Sequence, residues 1–178
     1  HYQPLFDSSG RVTGFEALAR WPHPVHGMIP PARFIPLAEE TGLIIQLGRW
    51  VLQTACQVAV TWPEEIGIAV NLSIRQFHRI DLIASVTEAL ERSGLHPGRL
   101  ELEITESLLM EDTERALLLV KELQALGVRV ALDDFGTGYS SLAYLNRFPF
   151  DKIKVDRSFI EQITDDSNAR TIVESIIS

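Results

Sequence analysis

Cysteine is almost missing from this sequence. Cys56 is the only one in 178 residues, so neither an internal disulfide nor a cysteine-built zinc site can form, and a reducing, cytoplasmic setting is expected. Long apolar runs are missing as well. No stretch of 18 apolar residues occurs, which argues against a membrane-spanning helix. No basic segment followed by an apolar one marks a signal peptide. Positive charge is in deficit: 16 Lys and Arg stand against 24 Asp and Glu, for a net charge of −8. Such a surface repels a nucleic-acid backbone, so DNA is not expected as a partner. A phosphate ligand would need local cations, either a few arginines and lysines or metal ions. No low-complexity tract is present, and the hydrophobic fraction of 46% is too high for disorder. The length suits one globular domain.

Strand and helix patterns alternate along the chain. Strands are predicted over 1–6, 13–20, 66–72, 99–105, 128–133 and 152–156, and helices over 32–40, 43–61, 80–93, 113–126, 139–146 and 168–177. The clearest helix carries Leu43, Leu47, Val51, Leu52, Ala55, Val58 and Ala59 at helical spacing. Gly94 and Gly127 follow helical runs where a left-handed cap is wanted, and Asp112 is placed to cap the next helix. This alternation implies βα units and a parallel sheet. A closed eight-stranded βα barrel typically takes ~250 residues; about six strands are legible here, so most of a barrel is expected rather than a whole one. An open doubly wound sheet is the other reading of the length.

Side-chain parity carries the functional signal. Leu100, Leu102 and Ile104 share one face of their strand, with Glu101 and Glu103 opposite. Val128, Val130 and Leu132 oppose Arg129, Ala131 and Asp133. Ile153 and Val155 oppose Lys152, Lys154 and Asp156, and Phe15, Ala17 and Ala19 oppose Glu16, Leu18 and Arg20. Strands of a parallel sheet are buried on both faces and ordinarily read as continuous apolar runs. An antiparallel sheet with one wet face would explain the alternation, but helical segments separate most of the strands. The alternative is a polar barrel interior presenting Glu16, Arg20, Asn71, Glu103, Asp133, Lys154 and Asp156, most of them near C-terminal strand ends, where barrel enzymes place their chemistry.

Glu16, Asn71, Glu103 and Asp133 offer oxygen ligands from four strands, and Asp134 and Asp156 add a second group beside Asp133. Such donors suit Mg²⁺, Mn²⁺ or Ca²⁺, and a pair of ions ~3.5–4 Å apart supports in-line phosphoryl displacement. Lys154 adjoins the cluster, and Arg20 has the fork to take a phosphate. Other polar residues read as structural: Glu101 in a salt bridge, His23 and His26 in a loop, Cys56 in the core, Trp21, Trp50 and Trp62 in packing, Glu39 and Glu40 on a solvated face.

The motifs are more specific than the spacing. Glu16-Ala17-Leu18 followed by Arg20 resembles the signature of the EAL domain family of bacterial cyclic-di-GMP phosphodiesterases. In order around it stand Tyr2-Gln3-Pro4, Trp21 with His23-Pro24, Phe34-Ile35-Pro36, Val70-Asn71-Leu72-Ser73, Glu101 to Ser107, Asp133 to Leu142 and Lys154 to Phe159. The resemblance implies a modified TIM-like (β/α)₈ barrel with an antiparallel first strand, here truncated to about six strands. It implies one domain over 1–178 whose final βα units are missing, so the 178 residues alone are expected to be poorly active. It further implies hydrolysis of cyclic di-GMP to linear pGpG with Mg²⁺ or Mn²⁺ in a two-metal site, and inhibition by Ca²⁺.

Carried over residue by residue, Glu16, Asn71, Glu103 and Asp133 resemble ligands of one metal, and Asp133 with Asp134 the link to the second. Lys154 resembles the lysine that positions the attacking water. Gln3, Leu18 and Arg20 match substrate-binding positions. Glu106 resembles the glutamate that anchors the Asp133–Gly136 loop, a segment tied in the family to homodimerisation. GGDEF or sensory domains, some membrane-anchored, are the neighbours the resemblance implies. A cyclic-di-GMP receptor that binds without cleaving is the principal rival, ahead of an interaction module and of a metal-dependent lyase or isomerase.

Overall fold

In the computed structural model, residues 1–79, 81–136 and 147–156 are described. In chain order the elements are β1 (Tyr2–Phe6), β2 (Val12–Ala17), β3 (Trp21–His23), β4 (Gly27–Ile29), α1 (Pro31–Thr41), α2 (Ile44–Ala59), β5 (Gly67–Asn71), α3 (Ile74–Phe77), α4 (Leu82–Ser93), β6 (Leu100–Thr105), α5 (Glu106–Glu111), α6 (Thr113–Ala125), β7 (Arg129–Phe135) and β8 (Lys152–Val155). The helices expected over 139–146 and 168–177 lie outside the described residues. No described helix is long and apolar enough to cross a membrane.

Six strands form one sheet in the order β1-β2-β5-β6-β7-β8. β1 runs antiparallel to β2, and each later neighbour is parallel to the strand before it. The tight β1–β2 connection is held by Asp7, whose Oδ1 accepts hydrogen bonds from the backbone N–H groups of Ser9 and Arg11 at 2.9 and 3.0 Å. A doubly wound sheet reverses its strand order at a switch point. Here every new strand joins the same edge, so the right-handed twist accumulates in one direction and the sheet curls into a half-barrel. Four parallel pairings likewise exclude the antiparallel alternative.

The helices lie on the outer face because the apolar parity points there. Leu52, Ala55, Cys56 and Ala59 of α2, Val86 and Ala89 of α4, and Ala116, Val120 and Leu123 of α6 meet Ile68, Val70, Leu100, Leu102, Ile104, Val130 and Leu132 in one core. Helix ends follow the local chemistry. Gly94 takes φ +72° and donates its N–H to Leu90 at 2.8 Å, a left-handed cap that a Cβ would disfavour. Asp112 Oδ1 accepts from Arg115 N at 3.2 Å. Arg99 ties the end of α2 to the lead into β5, with Nη2 donating to Ala59 O at 2.6 Å and Nε to Ile66 O at 3.0 Å.

The structure corrects several sequence expectations. The strand over 13–20 stops at Ala17, because β1 pairs only as far as Tyr2 opposite Ala17. Leu18 is still tied to the head of β1, its N–H donating to His1 O at 2.9 Å and its O accepting from the His1 amino group at 3.0 Å; Arg20 lies beyond the ladder, and parity does not govern where it points. A short hairpin, β3–β4, follows; its tip is closed by His23, whose Nδ1 accepts from Val25 N and His26 N at 3.2 Å each. α5 was not anticipated, and α4 starts at Leu82 behind the separate turn of α3. Trp50 is not a packing residue, being 60% exposed, whereas Trp21, although 42% exposed, sets its ring edge-on to the buried Phe34. Trp62 does pack, edge-on to Tyr2 and tilted against Phe15.

Cys56 is fully buried, and that burial pushes its thiol up to about 12. Thiolate is the reactive form. A thiol reagent at pH 8 is therefore expected to leave the native protein unmodified and to label it only as urea unfolds it. Prompt labelling of native protein would contradict this packing.

Candidate active site

The inner face of the sheet carries two tiers of charge. Glu101 and Glu103 are two residues apart on β6, and Lys152 and Lys154 are two apart on β8, so each pair shares a face. At the lower tier Lys152 Nζ donates to Glu101 Oε1 at 2.8 Å, the ion pair expected of Glu101. At the upper tier Lys154 Nζ donates to Glu103 Oε2 and Asp133 Oδ2 at 2.9 Å each, and reaches Glu16 Oε2 at 3.5 Å. Asn71 Nδ2 donates to Glu16 Oε1 at 2.7 Å. Glu16, Asn71, Glu103, Asp133 and Lys154 thus converge from β2, β5, β6, β7 and β8. Register explains the convergence: Asn71 lies opposite Glu103 and Ala69 opposite Glu16. Gly14 lies opposite Gly67 on the same face, where a Cβ would stand 2.9 Å from Gly67 O, so glycine lets β2 and β5 approach closely there.

The strand ends set the surroundings. Asp134 sits at φ +55°, a conformation few non-glycine residues adopt, and its N–H donates to Asp133 Oδ1 at 3.0 Å. Asp156 N donates to Phe135 O at 3.0 Å, which brings Asp156 alongside. Glu106 is buried at the start of α5, and its Oε2 accepts from Gly136 N at 3.4 Å, linking it to the segment that follows the two aspartates. Gly136 takes φ +100°; Gly138 lies outside the described residues. Gln3 pairs with Glu16 across β1–β2 and is exposed. Leu18 and Arg20 do not join the charge cluster. They line an adjoining cleft of about 350 Å³ that also reaches Asn71. Arg20 Nη1 donates to Ala19 O at 2.9 Å.

Sequence reasoning missed two contributors to this cleft, Gln76 and Gly48. Ser73 followed three residues later by Gln76 is a capping-box signal, and reading it would have placed α3. Gly48 left no signal, since its role depends on what α2 crosses.

Among the described residues, no three Asp, Glu, His or Cys side chains form a ready cage for a metal ion; the Lys154 ammonium stands where the carboxylates meet. One feature nevertheless suits a cation. Glu103 Oε1 is a buried side-chain oxygen without a hydrogen-bond partner among the described residues, an arrangement that ordinarily costs ~1–3 kcal/mol. The other donors are carboxylates and an amide, the hard oxygen set that Mg²⁺ and Mn²⁺ prefer.

The sequence profile of the EAL domain matches residues 1–178. An uncharacterized signaling protein of Caulobacter vibrioides is 56% identical over 99% of this chain, which spans 22% of that protein. The bifunctional diguanylate cyclase/cyclic di-GMP phosphodiesterase MucR of Pseudomonas aeruginosa is 48% identical over the whole chain, which spans 27% of it. The chain thus spans about a quarter of the curated relatives it matches. Among solved structures, the MucR phosphodiesterase in complex with c-di-GMP superposes with a TM-score of 0.90 at 48% identity, covering 99% of this chain and 74% of that one.

Crowding so many carboxylates has an electrostatic consequence. Burial pushes the Glu103 carboxyl up to about 7, against the opposing pull of Lys154, with Glu16 and Asp133 adding to the rise. Burial and then the neighbouring Asp133 and Asp156 also raise Asp134. Burial draws the Lys154 ammonium down, but its hydrogen bonds to Glu103 and Asp133 outweigh this and hold it above its ordinary range. A buried carboxyl whose value rises from 4.5 to about 7 binds a proton in the folded chain that the unfolded chain has released. Stability is therefore lost as pH rises from about 4.5, and the loss is complete above about 7. In chelator, the melting temperature is expected to fall between pH 5 and pH 8, and to fall less in Glu103→Gln. Equal slopes for the two proteins would refute the assignment.

Proposed function

Because this chain belongs to the EAL domain family, we propose that it is the catalytic unit of a metal-dependent phosphodiesterase that hydrolyses cyclic di-GMP to linear pGpG. The observation that carries this reading is the convergence of Glu16, Asn71, Glu103, Asp133 and Lys154 at the C-terminal ends of parallel strands around a partnerless Glu103 oxygen. Barrel enzymes keep their chemistry at that end, and a fold without a use for carboxylates crowded around the buried Glu103 would only lose stability by them.

Glu16, Asn71, Glu103 and Asp133 would hold one Mg²⁺ or Mn²⁺, and Asp133 with Asp134 would reach a second. Bound there, the ions supply hydroxide at neutral pH and polarise a phosphoryl oxygen. The residues of the chain do the rest. Lys154 keeps its proton, so it acts as a donor that orients the attacking water or meets a phosphate oxygen, and not as a base. Arg20 presents its guanidinium to the cleft and takes the phosphate that does not react. Leu18 gives that cleft an apolar wall, and Gln3, exposed and paired with Glu16 across β1–β2, is the further residue we assign to the dinucleotide. Water oxygen bonds to phosphorus as the bond from phosphorus to the 3′ oxygen breaks. The departing 3′ oxygen takes up a proton, leaving a linear dinucleotide with a 5′ phosphate. Ca²⁺, larger and less demanding in geometry, is expected to occupy the site without supporting the reaction.

Glu106, through its bond to Gly136, holds the Asp133–Gly136 loop at the site. That segment is the one we assign to homodimer contact. To the parent we assign further domains, either a diguanylate cyclase unit of the kind named in MucR or a sensory one, and a cytoplasmic place of work for this domain whether or not the parent is membrane-anchored.

With the parent protein, cyclic di-GMP and Mg²⁺ or Mn²⁺, pGpG is expected to form, and to stop forming when Ca²⁺ replaces them. Glu16→Ala and Lys154→Ala should each lower the rate by about 100-fold or more. Tight binding of cyclic di-GMP with no product in any metal would make the protein a receptor.

A further inference from the structure

Helix α2 crosses directly over Gln76 at its one internal glycine. A Cβ on Gly48 would stand 1.9 Å from Gln76 Nε2 and 2.2 Å from its Cδ, far inside any van der Waals contact. Gln76 is 8% exposed, and the amide that Gly48 covers is engaged below. Gln76 Oε1 accepts from Ser73 N at 3.3 Å and from Ser73 Oγ at 3.1 Å, while Gln76 N donates to Ser73 Oγ at 3.3 Å. This reciprocal box fixes the chain two residues beyond Asn71. Between them Leu72 N donates to Glu103 O at 2.9 Å, and Phe77, next to Gln76, is anchored in the core. The turn that presents Asn71 to Glu16 is thus held from both sides, by β6 and by the Gly48–Gln76 contact.

We propose that Gly48 and Gln76 are positioning residues: the absent side chain of Gly48 lets the Gln76 amide lock the turn after β5 and so sets the place of Asn71 in the site. The contact does not touch the reacting groups. It acts through the Ser73 box, so both residues influence the same downstream atom and their effects are not independent. For the consequence on metal binding, the inference rests on the functional reading above; for the position of Asn71 it does not.

The test is a double-mutant cycle of Gly48→Ala, Gln76→Ala and the pair, read in ¹⁵N-labelled protein by the side-chain amide signals of Asn71, identified by their loss in Asn71→Asp. Each single change is expected to move those signals and weaken their exchange protection. The pair should move them no further than Gln76→Ala alone, because the added methyl then has no amide to displace. Gln76→Glu, which keeps a capping-box acceptor, should leave them near their wild-type place, and Ser73→Ala, which introduces no clash, should move them as Gln76→Ala does. Mn²⁺ titrated without substrate should bind about tenfold more weakly to Gly48→Ala and Gln76→Ala. Asn71 signals unchanged in Gln76→Ala and Ser73→Ala, or additive shifts in the pair, would overturn the proposal. A wild-type protein that takes up no Mn²⁺ would overturn the metal reading alone, and the Asn71 signals would still decide the positioning.

Discussion

The Lys154 ammonium, held between Glu103 and Asp133 and facing Glu16, is the contact on which the inner face of the sheet depends. One cation meets three carboxylates there, with Asp134 and Asp156 close by. Charge of one sign packed this closely opposes ionisation of its own members, and the partnerless Oε1 of Glu103 marks where compensation is incomplete. The lower tier is arranged otherwise. Lys152 and Glu101 match one to one, a structural ion pair. Two tiers of the same strands therefore differ in charge balance, and the unbalanced tier is the one at the strand ends where a ligand can reach it.

The architecture follows from what such a face needs. A parallel sheet buries both of its sides, so a polar face is tolerable only where it encloses a site. Adding each strand to the same edge makes that enclosure. The outer face then takes most of the apolar residues and the helices they attract, while the inner face is left largely to small and charged ones. Gly14 and Gly67 are neighbours on it because a side chain on Gly14 would run into the next strand's backbone. The same logic recurs outside the sheet, where Gly48 lets α2 close on the Gln76 amide. Space left by glycine is used in both places to let neighbouring elements approach closely.

Much of this was legible beforehand, for identifiable reasons. Strict alternation in Leu100–Ile104 and in Lys152–Val155 assigned Glu103 and Lys154 to one face, and β periodicity leaves no freedom in that. Where periodicity ends, so does legibility. The chain turns away past Leu18, so parity could not place Arg20, and the β3–β4 hairpin was too short to announce itself. Trp50 reads as a packing residue because aromatic side chains usually are, whereas α2 presents it to solvent. α5 is six residues long and carries too little pattern to detect.

Sequence alone determined the class of fold, the inner-face carboxylates with their lysine, and the family, because each of these is encoded in residue type and spacing along the chain. Tertiary structure alone decided which carboxylates share a lysine, that Glu103 rather than Glu101 is left with an unsatisfied oxygen, that Arg20 faces a cleft beside the charge cluster, and that Gly48 sits on Gln76. These depend on strand register, sheet curvature and helix crossing. Such quantities arise from contacts between residues far apart in the chain, and no local pattern records them.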